Sequence, residues 1–168
     1  MNDKNKYYGI CRGSVLNNVD PMQLGRIQAA VPDASGMTPS TWAMPSVPIT
    51  GRQMGVFVVP QVGSGVWIQF EAGEADRPVW IGGWWRTAAE VPALAFSGGP
   101  GETNIVLQST LRNAIVISDL SGPAGGIMLK SSGGRLSSSM TAASTSRTAR
   151  ASASPLWGQR LRSITAHW

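Results

Sequence analysis

The chain has 168 residues, 14% of them charged and 42% apolar, with a formal net charge of +5 and a sequence pI of about 10.1. That length suits one domain, or a small domain with an appendage, and excludes a large multidomain enzyme. No apolar run reaches the roughly 18 residues of a membrane-spanning helix; the lone Cys11 excludes an intramolecular disulfide framework, and the lone His167 removes most His-dependent catalysis and metal binding.

A basic pI ordinarily points to nucleic acid, but the charge is unevenly placed. Residues 1–119 hold eight basic and all nine acidic residues, net −1, whereas residues 120–168 hold six basic residues and no acid, net +6. The basicity therefore belongs to the C-terminal end. Within it, residues 136–155 are almost entirely Ser, Thr, Ala and Arg, too poor in apolar surface to offset their own ordering entropy.

Residues 1–6 are polar and show no apolar stretch, so no secretory signal is expected. From there Gly and Pro recur every few residues and apolar residues mostly alternate, which predicts short strands joined by turns. The predicted strands are 7–15, 25–31, 53–59, 66–71 and 78–84. The Pro-rich stretch 33–48, around Trp42, reads as a loop. In the fourth strand Val66, Ile68 and Phe70 share one face and Trp67, Gln69 and Glu71 the other. In the fifth, Val79 and Ile81 oppose Trp80 and Gly82. Five strands suit a small closed barrel, read here as an OB-fold, whose narrow interior takes the Val/Ile/Phe set. Trp67 and Trp80 are then expected to point outward, next to Trp84 and Trp85. Either the 33–48 loop covers these rings, or they form a protein interface, where Trp is enriched.

Residues 87–102 read as an Ala/Pro/Gly linker. Three similar segments follow, carrying Ile105/Leu107, Ile115/Ile117 and Ile127/Leu129, each pair flanking a further apolar residue (Val106, Val116, Met128). Both faces of such strands are expected to be buried. Fewer than thirty residues make no core alone, so the pattern predicts an intertwined threefold β-prism built from three copies, with those six aliphatic residues as stalk core.

The residues in order resemble a known family. Tyr8-Gly9-Ile10-Cys11-Arg12-Gly13-Ser14-Val15, Asp20-Pro21, Leu24-Gly25-Arg26-Ile27, Val31-Pro32 and Trp42-Ala43 come first. Gly55-Val56-Phe57-Val58-Val59-Pro60 and Val62-Gly63-Ser64-Gly65-Val66-Trp67-Ile68-Gln69-Phe70-Glu71 follow. The most specific stretch is Gly73-Glu74-Ala75-Asp76-Arg77-Pro78-Val79-Trp80-Ile81-Gly82, a carboxylate-rich turn leading into Arg-Pro-Val and a Gly-ended strand. Residues 7–85 are similar to the OB-fold domain of phage baseplate assembly protein V and of VgrG-type spikes, and residues 105–131 to the start of that family's trimeric β-helix.

The resemblance implies an all-β chain: an OB-fold barrel over 1–86, a linker over 87–102, a β-helix stalk over 103–135 and a basic tail or tip over 136–168. It implies a homotrimeric central spike in a virion tail baseplate or injection particle. The spike would dock on a separate hub protein, meet a possible tip protein, and contact the target membrane transiently as sheath contraction drives it through. The chain departs from relatives that carry a lysozyme domain, a fused hub or a His-x-His iron apex; here only His167, brought together on a threefold axis, offers a metal ligand. No cofactor is expected.

An enzyme is not expected either. No His stands in the barrel to act as base. Glu74 and Asp76 read as a solvated turn beside Arg77, and Gly98-Gly99-Pro100-Gly101 lacks the Lys of a phosphate loop. The competing reading is an OB module for single-stranded nucleic acid, which combines aromatics with a basic groove; the near-neutral barrel argues against it.

Overall fold

A computed structural model describes residues 6–99, 101–102, 104–122 and 125–133. The expected tail 136–168, with His167, lies outside the described residues. The chain divides into two units, Met1–Ala93 and Leu94–Trp168. Among the described residues every regular element is a strand or a short 3-10 turn, and no helix is long and apolar enough to cross a membrane.

In the first unit the strands are β1 (Cys11–Asn17), β2 (Gln28–Val31), β3 (Gly36–Pro39), β4 (Met44–Pro45), β5 (Thr50–Gly51), β6 (Met54–Gly55), β7 (Gly65–Phe70) and β8 (Pro78–Trp84). Six of them form one sheet in the order β3-β2-β1-β7-β8-β4. The sheet closes on itself where Ile27 and Ala43 exchange backbone hydrogen bonds of 3.2 and 2.7 Å. β4 runs parallel to β8, Met44 opposite Val79 and Pro45 opposite Trp80; every other pair in the sheet is antiparallel. Closure removes the free sheet edges of an open meander. This ring is the OB-type barrel expected from the sequence.

The third barrel strand corrects the sequence reading. It comes from residues 36–45, within the stretch read as a loop, while 53–59 contributes only β6, half of a small β5–β6 hairpin. Three prolines made 33–48 look like a loop. The strand survives because it is broken: the Ser40 hydroxyl accepts the Ala29 N–H at 3.1 Å, and the Ser40 N–H donates to the Ala29 carbonyl at 2.9 Å. A side chain thus satisfies a backbone donor where the ladder is irregular.

The barrel core holds Val15, Ile27, Ala29, Val31, Ala43, Val66, Ile68, Phe70 and Trp80. The predicted inward set on β7 is all there. On β8 the prediction fails: Trp80 is buried, only 9% exposed, and Val79 and Ile81 are half-buried. The cause is a bulge. Ile68 pairs with Trp80, but Trp67 pairs with Gly82, so Ile81 is an extra residue with no partner of its own. An extra residue shifts the alternation by one. Trp80 therefore joins Ile68 inside, while Trp84, opposite Gly65, stays on the outer face with Trp67. A narrow barrel admits an indole because Ala29 and Ala43 in the same cluster are small.

In the second unit β9 (Ile105–Gln108), β10 (Ala114–Ser118) and β11 (Gly126–Lys130) form an antiparallel meander with β10 in the middle. Its register is regular. Ile105, Ile117 and Ile127 make one cross-strand row, and Leu107, Ile115 and Leu129 another.

Candidate interaction surfaces

The two rows of the meander lie on one face, because they sit at alternate positions of paired strands. That face is open: Ile105 and Leu107 are 67% and 69% exposed, and Ile115, Ile117, Ile127 and Leu129 are 40–50% exposed. The opposite face carries Ala114, Val116 and Ser118, all buried. The expectation that both faces are buried thus holds in the single chain only for the middle strand on one face; there Val106 and Met128 are half-buried, and Gln108 and Lys130 are exposed. The six residues expected as stalk core are gathered by the fold into a single aliphatic patch of a kind soluble monomers rarely show.

On the barrel, the four expected interface tryptophans separate. Trp80 is a core residue, and its indole donates to the Gly25 carbonyl at 3.2 Å. Trp67 and Trp84 lie side by side on the outer face, ring centres 6.1 Å apart. The Trp84 indole donates to the Val66 carbonyl at 3.2 Å, and Trp85 is 62% exposed. Sequence reasoning missed the cations that join them. Arg12, opposite Trp67 across β1 and β7, places its guanidinium carbon 5.5 Å from the Trp67 ring centre and 5.1 Å from that of Trp84. Arg86 stands 5.7 Å from the Trp84 ring. The pairing of Arg12 with Trp67 is set by strand register, which composition does not carry. Of the 33–48 stretch, Met37 lines a pocket with Trp84 and Pro45 pairs with Trp80, while Trp42 takes Arg26, at 5.4 Å.

Lys6, Arg26 and Arg77 of the barrel hold carboxylates. Asp20 and Arg26 form a clasp, with Arg26 donating through Nε at 3.0 Å and Nη2 at 2.6 Å to Asp20 Oδ1. The backbone N–H groups of Met22, Leu24 and Arg26 also donate to Asp20. The Arg26 guanidinium and these N–H groups hold the Asp20 carboxyl far below the usual range. The sequence showed Asp20-Pro21 only as a strand breaker. Around the turn 71–77, Glu71 pairs with Arg77 and Glu74 with Lys6, and the Tyr7 N–H donates to the Gly73 carbonyl at 2.9 Å. Both acids are thus charge-paired braces of the barrel end. No group of three or more His, Cys, Asp or Glu among the described residues could hold a metal.

Residues 11–85, the whole closed barrel, match the family model of the type VI secretion system/phage-baseplate injector OB domain. Over this segment the match supports the likeness to baseplate protein V and the VgrG-type spikes. No curated protein matches the chain. The match begins at Cys11, the first residue of β1, and ends one residue after β8, so the injector OB domain and the closed strand ring are the same object. Its structural role is accordingly that of a baseplate or injection-particle component. The open aliphatic meander lies beyond the matched segment.

Proposed function

We propose that this chain is the central spike of a contractile tail, acting as a homotrimer. The observation that carries the reading is the open aliphatic face of β9–β11 on a chain that also holds an injector OB domain. Three such faces turned toward a common axis form a β-prism core. Burying their remaining apolar surface contributes about 1 kcal/mol per side chain, six from each protomer, to be set against the entropy of association. A second copy with the same face is the partner that matches it in shape and polarity.

In that assembly the barrels dock on a separate hub protein. The stalk projects toward the target envelope and is driven through it when the sheath contracts. The role is mechanical, with no catalytic group and no cofactor. Strands paired around a closed prism separate only if many hydrogen bonds break together, which resists axial load. The particle is a virion tail or a related injection device.

Native mass spectrometry of the full chain tests the reading. A trimer that persists in SDS is expected. A monomer across the micromolar range would overturn it.

A further inference from the structure

We propose that the outer barrel surface made by Arg12, Trp67, Trp84 and Arg86 is a docking site for a carboxylate side chain on a partner protein segment, whose aliphatic neighbour fills the pocket beside Arg12. The inference concerns the barrel alone and does not depend on the oligomeric state.

Charge pairing and aromatic stacking together single this surface out: Arg52, on the β5–β6 hairpin, also meets no carboxylate among the described residues, but it stacks on no ring there. Lys6, Arg26 and Arg77 each meet a carboxylate. Among the described residues no carboxylate lies within ion-pair distance of the Arg12 or Arg86 guanidinium; Glu90 accepts the backbone N–H of Arg86 at 2.9 Å and leaves its guanidinium unpaired. Arg12 is exposed, and its contacts are the faces of two indoles. A guanidinium stacked on aromatic rings keeps its N–H edge free, because stacking uses the face and hydrogen bonding uses the rim. The stack also holds the fork in one orientation, so little rotamer freedom remains to be lost on binding. Arg86 is held as well, by the Ser14 hydroxyl and by the Trp84 ring. The two cations thus flank Trp84, and both present donors suited to a carboxylate.

Beside Arg12 lies a cavity of about 240 Å³ lined by Gly13, Ser14, Ala30, Pro32, Met37 and Trp84. Its walls are almost wholly apolar. A ligand for this surface therefore joins one negative charge to one apolar group, which describes an Asp or Glu next to an aliphatic residue. Single-stranded nucleic acid fits less well. An OB module offers bare aromatic faces to bases, whereas the Trp67 and Trp84 faces are taken by the protein's own guanidiniums. The near-neutral charge of the barrel supplies no track for a phosphate backbone.

The test uses the full chain at low ionic strength, where screening is weak. Indole N–H resonances are followed on addition of the capped peptide acetyl-Gly-Asp-Leu-Gly-amide, its Asn analogue, or a short oligothymidylate. Saturable shifts of the Trp67 and Trp84 indoles with the Asp peptide are expected, with roughly tenfold weaker binding of the Asn peptide. Arg12→Ala and Arg86→Ala are each expected to weaken the Asp peptide by a similar factor. Circular dichroism checks their folding, and Arg86→Ala, at the outer rim, carries the comparison if Arg12→Ala unfolds. Equal binding of the Asp and Asn peptides, absence of binding, or tighter oligothymidylate binding at the same indoles would each overturn the proposal.

Discussion

The Trp80 indole donates to the Gly25 carbonyl inside the barrel, at 3.2 Å. The bond ties β8 to the segment that enters β2, and it gives a buried N–H the partner it needs. Trp80→Phe should lower stability by about 1–3 kcal/mol, through the lost donor and a small void. Trp80→Ala should cost about 3–5 kcal/mol, because the barrel interior cannot collapse around the cavity. Urea denaturation at fixed protein concentration measures both. A neutral Trp80→Ala would contradict its place in the core.

Asp20 predicts an acid limb. Its carboxyl is held far below its usual pKa by Arg26 first, and then by three backbone N–H donors. A lowered folded-state pKa means that the unfolded chain binds the proton more readily. The stabilisation is therefore complete above the ordinary carboxylate range, near pH 4, and is lost progressively as the pH falls toward the folded value. Thermal melts from pH 7 to pH 2 should show this loss. In Asp20→Asn the midpoint should start lower at pH 7 and depend less on pH below 4.

Gly65 predicts a packing lock. A Cβ built there would sit 2.6 Å from the Trp84 carbonyl oxygen and 2.7 Å from Trp84 Cε2, closer than real side chains approach. Gly65→Ala must therefore push Trp84 off the barrel wall. The near-ultraviolet circular dichroism of the Trp67–Trp84 pair should collapse. Destabilisation of about 1–3 kcal/mol is expected from the overpacking. An unchanged aromatic spectrum would show that Trp84 does not rest against Gly65.

Ile117 sits in the middle strand, opposite both Ile105 and Ile127. It is 40% exposed in the single chain, so Ile117→Asp should leave the protomer folded. Within a prism the same carboxylate would be buried without a partner, at a penalty of several kcal/mol. Light scattering should then report monomers where the parent chain reports trimers. Trimers that survive the substitution would remove this face from the interface.

Local pattern made much of this protein readable. Alternation along 66–70 placed Val66, Ile68 and Phe70 inside, because a strand's side chains alternate whatever they pair with. The same rule gathered Ile105, Leu107, Ile115, Ile117, Ile127 and Leu129 onto one face, and the lack of acid beyond residue 119 kept the basicity away from the barrel. The ordered motifs of 7–85 pointed to the injector family whose model covers 11–85.

Tertiary structure decided what depends on pairing. The bulge at Ile81 exists only because Ile68 and Trp67 choose Trp80 and Gly82 as partners. That choice moved one tryptophan inward and left another out. The broken third strand, closed through Ile27 and Ala43, is held by contacts between the strand predicted over 25–31 and a stretch that looks like a loop on its own. Arg12 reached Trp67 and Trp84 through the register of three strands. Propensity and periodicity are properties of one segment, whereas bulges, barrel closure and cation–indole stacks are properties of two or more segments brought together.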